Sequence, residues 1–512
     1  MIFLLVFLLM RMSILKLKSN SAPGPDKISA HFLQQTVNSI SQPLQLLFQK
    51  FLDNGFVPQE WKQSNVTPIF KKGSKFAASN YRPISLTSIL CKVMESLVKD
   101  NMLDHLLKTD VIFPSQHGFM PGRSCTTNLL EYLEEITKAV DEGQPVDIVY
   151  LDFAKAFDKV PHRRLGVVLK AHGIDGKVLD WILDWLDGRV QRVVLNGEVS
   201  NWVEVLSGVP QGSVLGPILF LVYINTLDIN VLNTAPIRSK FADDSKVGRR
   251  IINAGDADAL QTAIKHLEIW ADKWQMSFNA SKCSIIHFGN NNPGYTYYMY
   301  DQALESAHEE KDVGVVVNRD LKPSTHVRKS ANTANKVLGL MARSFHFRDH
   351  KTWIGLYKTY VRPHMEYASP CWSPWSNRDI ELLESVQKRA VNMCSGLRSQ
   401  TYEDKLQEIG LMSLADRRYR ADMIQTWKIL NNKDRVREST WFTRLNDARI
   451  RHTRLTDSNM NLLIPRANLE IRRNFYSNRI PRLWNNLSEN IKNATSLDQF
   501  KCTLDAHIKQ RY

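Results

Sequence analysis

Only six cysteines stand in the 512 residues, and Cys91, Cys125, Cys283, Cys371, Cys394 and Cys502 lie far apart. No C-x-x-C pair occurs and no Cys/His spacing suits zinc, which excludes a zinc module and a disulfide framework. Reduced thiols in an intracellular protein are the expectation. Long apolar runs are lacking too. The opening "MIFLLVFLLM" is ten residues, whereas a membrane-spanning helix needs about 20. The basic residues follow this run instead of preceding it as in a signal peptide, so neither targeting nor stable membrane association is expected. Internal repeats and low-complexity linkers are absent, which excludes solenoids and disordered tails. Acidic residues are in deficit: 52 Asp and Glu against 67 Lys and Arg leave a net charge of +15, with an isoelectric point near 9.4. Such an excess points to a polyanionic partner. Residues 401–512 hold 21 Lys/Arg against 13 Asp/Glu, a net of +8, and leave +7 for the first 400. A nucleic-acid contact and a solvated basic helical face are equal readings of that excess.

What is present is enough for ordinary cores: 43% of residues are hydrophobic, in a length that suits two to four domains. "AHFLQQTVNSISQPLQLLFQKFL" has the apolar spacing of an amphipathic helix interrupted near Pro43, and "VTPIFKKGSKFAASNYRPISL" reads as extended chain rich in Lys and Arg. Leu129, Leu130, Leu133, Ile136 and Val140 fall on one helical face. "PVDIVYLDF" is too short for a globular helix and reads as a buried strand ending at Asp152. Asn196-Gly197 suits the two positive φ angles of a type I′ hairpin turn. "SGVPQGSVLGPILFLVYIN" runs from a Gly/Pro loop into an apolar helix, and "IRSKFADDSKV" reads as a second hairpin with its acids at the tip. "NASKCSIIHFG" and "KDVGVVV" read as strands, and the pattern is mostly helical from about residue 324.

Asp243 and Asp244 stand side by side where two unit charges about 4 Å apart repel by roughly 1 kcal/mol even in water. Alone the pair is weak, a solvated turn being its ordinary form. Asp152 also ends a β element. If strand and hairpin are neighbours in one sheet, three carboxylates converge, and hard oxygen ligands with open positions suit magnesium. Two such ions roughly 4 Å apart clamp the attacking and leaving oxygens of an in-line phosphoryl transfer.

The order "LDFAKAFDKVPH", "SGVPQGSVLGPILF", "KFADD", "NASKC" resembles the palm of reverse transcriptases of non-LTR (long interspersed element) retrotransposons. Upstream, "NYRPISLTSILCKVMESLV" and "QHGFMPGRSCTTNLL" are similar to the fingers blocks of that family; downstream, "YVRPHMEYASPCWSPW", "VQKRAVNMCSGL" and "RRNFYSNRIPRLWNNL" resemble its jockey-like and chicken-repeat-like branches. The resemblance runs from about residue 20 to the end. It implies an α+β right-hand polymerase: an atypical apolar N-terminus over 1–20, fingers over 21–145, a palm with an antiparallel sheet over 146–320, a helical thumb over 321–400 and a basic helical region over 401–512, the reverse transcriptase core being about 50–320.

The same resemblance implies Asp152 and Asp243 as metal ligands with Asp244 in support, two Mg2+ ions with Mn2+ as a substitute, and Lys282 as proton donor to the leaving pyrophosphate. It implies Phe157 as a block to the sugar 2′-hydroxyl, Gln211 and Gly212 in the nucleotide and template pocket, and Lys71 and Arg82 on the triphosphate, an anion suited to Arg's fork. For each a plain structural reading stands beside it: a core Phe, a tight turn, solvated cations. Asp158 fits the family pattern as a helix cap, an ion-pair partner or something closer to the chemistry. The implied partners are an RNA template, a DNA primer and deoxynucleotides, and the implied location is nuclear or cytoplasmic. The residues ahead of "SAPGPDKIS" are too few for the apurinic-type endonuclease of intact elements, so target nicking is not expected of this chain; nor is a zinc knuckle or an RNase H block found. The rival reading is a catalytically silent RNA-binding relic or co-opted element. An RNA-dependent RNA polymerase shares the two-metal logic but ordinarily has Gly-Asp-Asp at the tip and a polar residue near the Phe157 position.

Overall fold

A computed structural model describes residues 2–397, 401–445 and 460–510. In chain order its principal strands are β1 (Gln63–Phe70), β2 (Tyr81–Leu86), β3 (Val146–Leu151), β4 (Val190–Leu195), β5 (Glu198–Val199), β6 (Val203–Glu204), β7 (Ile237–Phe241), β8 (Asp244–Arg250) and β9 (Ser284–Phe288). Two compact units form, each from three segments: Met1–Phe119, Asp152–Leu232 and Ala263–Ala280 in the first, Met120–Leu151, Asn233–Thr262 and Ser281–Tyr512 in the second.

In the first unit a mixed sheet is ordered β2-β1-β4-β5, with β6 also on β4. β1 and β2 are antiparallel, Ile69 opposite Arg82 and Phe70 opposite Tyr81. Between β4 and β5, Asn196 (φ +51°) and Gly197 (φ +90°) take the two left-handed positions that the sequence predicts. The apolar opening is the helix Ile2–Leu15, whose Met10 and Ile14 are fully buried as it packs on the helices Val37–Asp53 and Ile89–Lys108. The amphipathic stretch after Ser29 breaks at Thr36 and not near Pro43: the helices are Ala30–Gln35 and Val37–Asp53, with Pro43 inside the second. Ser29 caps the first helix through the Phe32 N–H, and the Thr36 hydroxyl donates back to the Phe32 carbonyl. Local side-chain bonds of this kind compete with helix continuation.

In the second unit a sheet runs β9-β3-β8-β7, with the short strand Glu305–Ser306 outside β9. β3 lies between antiparallel β8 and β9, and all six of its residues are buried. The helix Cys125–Asp141 covers this sheet, with Leu129, Leu130, Leu133 and Ile136 buried as their spacing predicts and Val140 half-buried. Ser324–Ser344, Asn377–Asn392, Leu414–Leu430, Tyr476–Asn485 and Leu497–Lys509 supply the helical pattern expected after residue 324. The basic C-terminal residues fold onto the covering helix: Arg472 donates to Glu134 and Thr137, and the Asn468 and Leu469 N–H groups donate to the Asp141 carboxylate. Arg420, Arg444 and Arg479 pair with acids of the same region, whereas Arg417 and Arg472 pair with Glu366 and Glu134 outside it, so part of the C-terminal excess is offset by acids elsewhere in the chain. Among the described residues no helix is long and apolar enough to cross a membrane.

Candidate active site

In the second unit β7 and β8 form a tight hairpin: Phe241 pairs with Asp244, so Ala242 and Asp243 are the turn. Ala242 has φ +59°, a conformation a non-glycine residue holds only when its surroundings impose it. Asp243 is half-buried and Asp244 exposed. Along β8 side chains alternate in direction, so Asp244 and Lys246 share a face. Lys246 is buried, its ammonium paired with the buried Asp312, donating to Asn128 Oδ1 at 3.2 Å and lying 4.2 Å from the centre of the Tyr132 ring. Burial pulls the Lys246 pKa down, and the carboxylates of Asp312 and then Asp244 push against that shift. A cation therefore stands behind the acidic tip. Tyr132 and Tyr150 share a hydroxyl–hydroxyl bond of 2.6 Å beneath it.

β3 reaches this hairpin through a ladder in which Tyr150 faces Lys246 and Leu151 faces Ser245. Asp152 is the next residue in the chain. It opens the second segment of the first unit, where its carbonyl accepts from the Asn279 N–H at 2.7 Å and Ala154 N–H donates to Ser277 at 2.8 Å. Lys282 is exposed in the second unit, two residues ahead of β9.

Within the first unit the nucleotide-side candidates gather around one loop. Lys71 and Arg82 are exposed on the β1–β2 hairpin; Lys71 N–H continues the ladder to the Asn80 carbonyl at 2.8 Å. Arg82 faces Ile69, and Lys71 lies two residues beyond Ile69, so both cations share one face. Ile84 is also on that face, and a Cβ on Gly212 would stand 3.5 Å from Ile84 Cγ2 and 2.8 Å from the Ser85 carbonyl oxygen. The Ser85 N–H donates to the Gln211 carbonyl at 2.7 Å. Phe157 stacks on the fully buried Phe220, ring centres 4.4 Å apart, and meets the edge of Phe119 at 6.5 Å. It stays half-buried, between the core residue and the sugar-facing residue of the sequence reading.

Two further acids hold this loop, Glu95, which sequence reasoning passed over, and Asp158, whose partner it did not foresee. Glu95 is fully buried, and its Oε2 accepts the N–H groups of Val214 and Leu215 at 2.7 and 3.1 Å. Its signal was an acid on the apolar face that carries Cys91, Met94, Val98 and Met102. Asp158 accepts from the Gln211 side chain at 2.9 Å, which is neither a helix cap nor an ion pair.

Among the described residues no group of three or more His, Cys, Asp and Glu side chains is arranged to hold a metal ion. Magnesium seldom uses such a cage: it keeps water and binds through one or two carboxylates plus substrate phosphates. Exposed and half-exposed carboxylates at strand ends are donors of that kind.

The model of the family described as reverse transcriptase (RNA-dependent DNA polymerase) matches residues 69–340, which include every candidate named above. The chain is 26% identical over 394 residues to the probable RNA-directed DNA polymerase from transposon X-element of Drosophila melanogaster, covering 75% of this chain and 43% of that protein. It is 27% identical over 399 residues to the RNA-directed DNA polymerase from mobile element jockey of Drosophila funebris, covering 74% and 43%. To the probable RNA-directed DNA polymerase from transposon BS of Drosophila melanogaster it is 28% identical over 279 residues, covering 53% and 30%. The chain thus spans less than half the length of these relatives.

Proposed function

We propose template-directed DNA synthesis for this chain, which belongs to the reverse transcriptase (RNA-dependent DNA polymerase) family. The branch is that of jockey-like non-LTR elements, on the relatives' names and the motifs above. The carrying observation is the β3–β8 register: Leu151, the last residue of β3, faces Ser245, Asp152 follows Leu151 in the chain, and Asp244 precedes Ser245 on β8 with Asp243 at the turn.

Asp152 and Asp243 would hold divalent ions, magnesium with manganese as a substitute, with Asp244 in support; such ions would supply activation of the primer 3′-hydroxyl and neutralisation of charge on the transferred phosphoryl group. The chain's own residues position the reactants. Lys71 and Arg82, two cations on one strand face, hold the triphosphate. Gly212 lets the loop backbone approach β2 and the nucleotide, and Gln211 contacts the nucleotide. Phe157 closes the sugar's 2′ side. Lys282 gives a proton to the departing pyrophosphate.

The substrates are an RNA template, a DNA primer and deoxynucleotides, in the nucleus or cytoplasm. Fingers, palm, thumb and a basic helical region correspond to residues 21–145, 146–320, 321–400 and 401–512. Primer extension on an RNA template with magnesium tests this: deoxynucleotides are expected to be incorporated in preference to ribonucleotides. A ribonucleotide preference contradicts the reading, and no extension by folded protein favours the silent RNA-binding relic.

A further inference from the structure

Asp158 has no part in the chemistry above, yet several bonds tie its turn to the loop of Gln211 and Gly212. Gln211 Nε2 donates to Asp158 Oδ1 at 2.9 Å, and the Ser207 hydroxyl donates to the Asp158 carbonyl at 3.0 Å. The N–H groups of Gly208 and Val209 donate to the carbonyls of Val160 and Phe157, both at 2.8 Å. No slack remains there: a Cβ on Gly208, where φ is +89°, would stand 2.6 Å from the Asp158 carbonyl oxygen.

A carboxylate only accepts hydrogen bonds, whereas a carboxamide has a donating end and an accepting end. Asp158 therefore decides which way the Gln211 amide faces, with its nitrogen on the carboxylate and its oxygen turned away. The Gln211 backbone is fixed as well, its carbonyl taken by the Ser85 N–H at 2.7 Å on the strand that carries Arg82. Phe157 belongs to the same turn as Asp158, so ring and amide are placed by one piece of backbone.

We propose that Asp158 is a positioning residue for nucleotide selection: it orients the Gln211 amide so that Oε1 meets the incoming deoxynucleotide as a hydrogen-bond acceptor, and it couples that contact to Phe157. This inference rests on the template-copying reading and adds a residue to it. Asp158 acts through Gln211 and touches no reacting atom.

The test is a double-mutant cycle on single-nucleotide primer extension, with Asp158→Ala, Gln211→Ala and the double variant. Loss of a hydrogen bond to a charged partner is expected to raise the deoxynucleotide KM by about tenfold in each single variant, with kcat changed by less than about threefold. The double variant is expected to match Gln211→Ala, because the second change has nothing left to remove. Asp158→Asn keeps an acceptor oxygen and is expected to restore KM to within about threefold of the parent. Deoxynucleotide-over-ribonucleotide preference is expected to fall in Asp158→Ala. Additive losses in the double variant, or a loss confined to kcat, overturn the inference while leaving the polymerase reading intact. A parent chain that neither extends primers nor binds deoxynucleotide on a primer–template overturns both. Melting temperatures of the variants separate misfolding from mispositioning, and Asp158→Asn carries the test if Asp158→Ala does not fold.

Discussion

Leu151 and Ser245 are partners across the β3–β8 ladder, and each is flanked by an acid, Asp152 after one and Asp244 before the other. The adjacent acids of the tip are not equivalent. Asp243 occupies the turn, whereas Asp244 is the first residue of β8, on the face of the buried Lys246. Having a cation of the protein on its own face, Asp244 is expected to depend less on added metal. Asp244→Asn is therefore expected to keep at least about tenfold more extension activity than Asp243→Asn at saturating magnesium. Equal losses would show that Asp244 is as strong a ligand as Asp243.

Gly212 tests the loop directly. Its φ is +110°, and an added Cβ would stand only 2.8 Å from the Ser85 carbonyl oxygen, so Gly212→Ala must either strain its backbone or push the loop off β2. A loss of about 1–3 kcal/mol in stability is expected, with kcat/KM reduced by at least about tenfold because the Gln211 contact moves with it. Calorimetry and primer extension on one preparation check both. An alanine variant with parental kinetics would remove the loop from the nucleotide site.

His326 gives a pH dependence whose sign follows from its bonds. Its Nδ1 accepts the Val316 N–H at 3.1 Å, its Nε2 pairs with Ser330 at 3.3 Å, and its ring lies against Trp372. Burial, and then the charges of Lys311 and Lys329, lower its pKa from 6.5 to about 4. Between these values the unfolded chain binds a proton that the folded chain refuses, so stability is present above 6.5 and is lost as pH falls toward 4. The shift corresponds to roughly 3 kcal/mol. Denaturant midpoints measured from pH 6.5 to 4 are expected to fall more steeply for the parent than for His326→Gln. Parallel curves would contradict this assignment.

Glu134 and Arg472 join residues far apart in sequence, with side-chain exposures of only 5% and 9%. Removing one partner strands the other charge, so Arg472→Met is expected to cost about 3–5 kcal/mol. Adding Glu134→Leu is expected to recover most of that, since an apolar pair can replace a buried ion pair at little cost. Urea unfolding of the single and double variants checks it. No recovery in the double variant would mean that the bonds to Thr137 and the Asp141 contacts carry the docking instead.

How far the sequence led follows the range of the forces involved. β3, the Asn196-Gly197 turn and the acidic hairpin were legible because alternation, apolar run length and turn residues act over a few neighbours. The helix break at Thr36 was misplaced because a local Thr hydroxyl bond outweighed the proline signal. Glu95, Asp158 with Gln211, and Lys246 with Asp312 were not legible: each side chain gains its meaning from a partner 53 or more residues away, which periodicity does not encode. The docking of the C-terminal residues on the helix Cys125–Asp141 was hidden for the same reason, and composition alone offered only a charge excess.

The central claim is that Asp152 and Asp243 serve the same ions. Magnesium-dependent primer extension by the parent, Asp152→Asn and Asp243→Asn, each shown folded by its melting curve, tests it most directly. Each single change is predicted to lower kcat by about a thousandfold or more, and the pair together to lose little beyond either one. Substantial extension by Asp152→Asn, or losses that multiply in the double variant, would contradict a shared site.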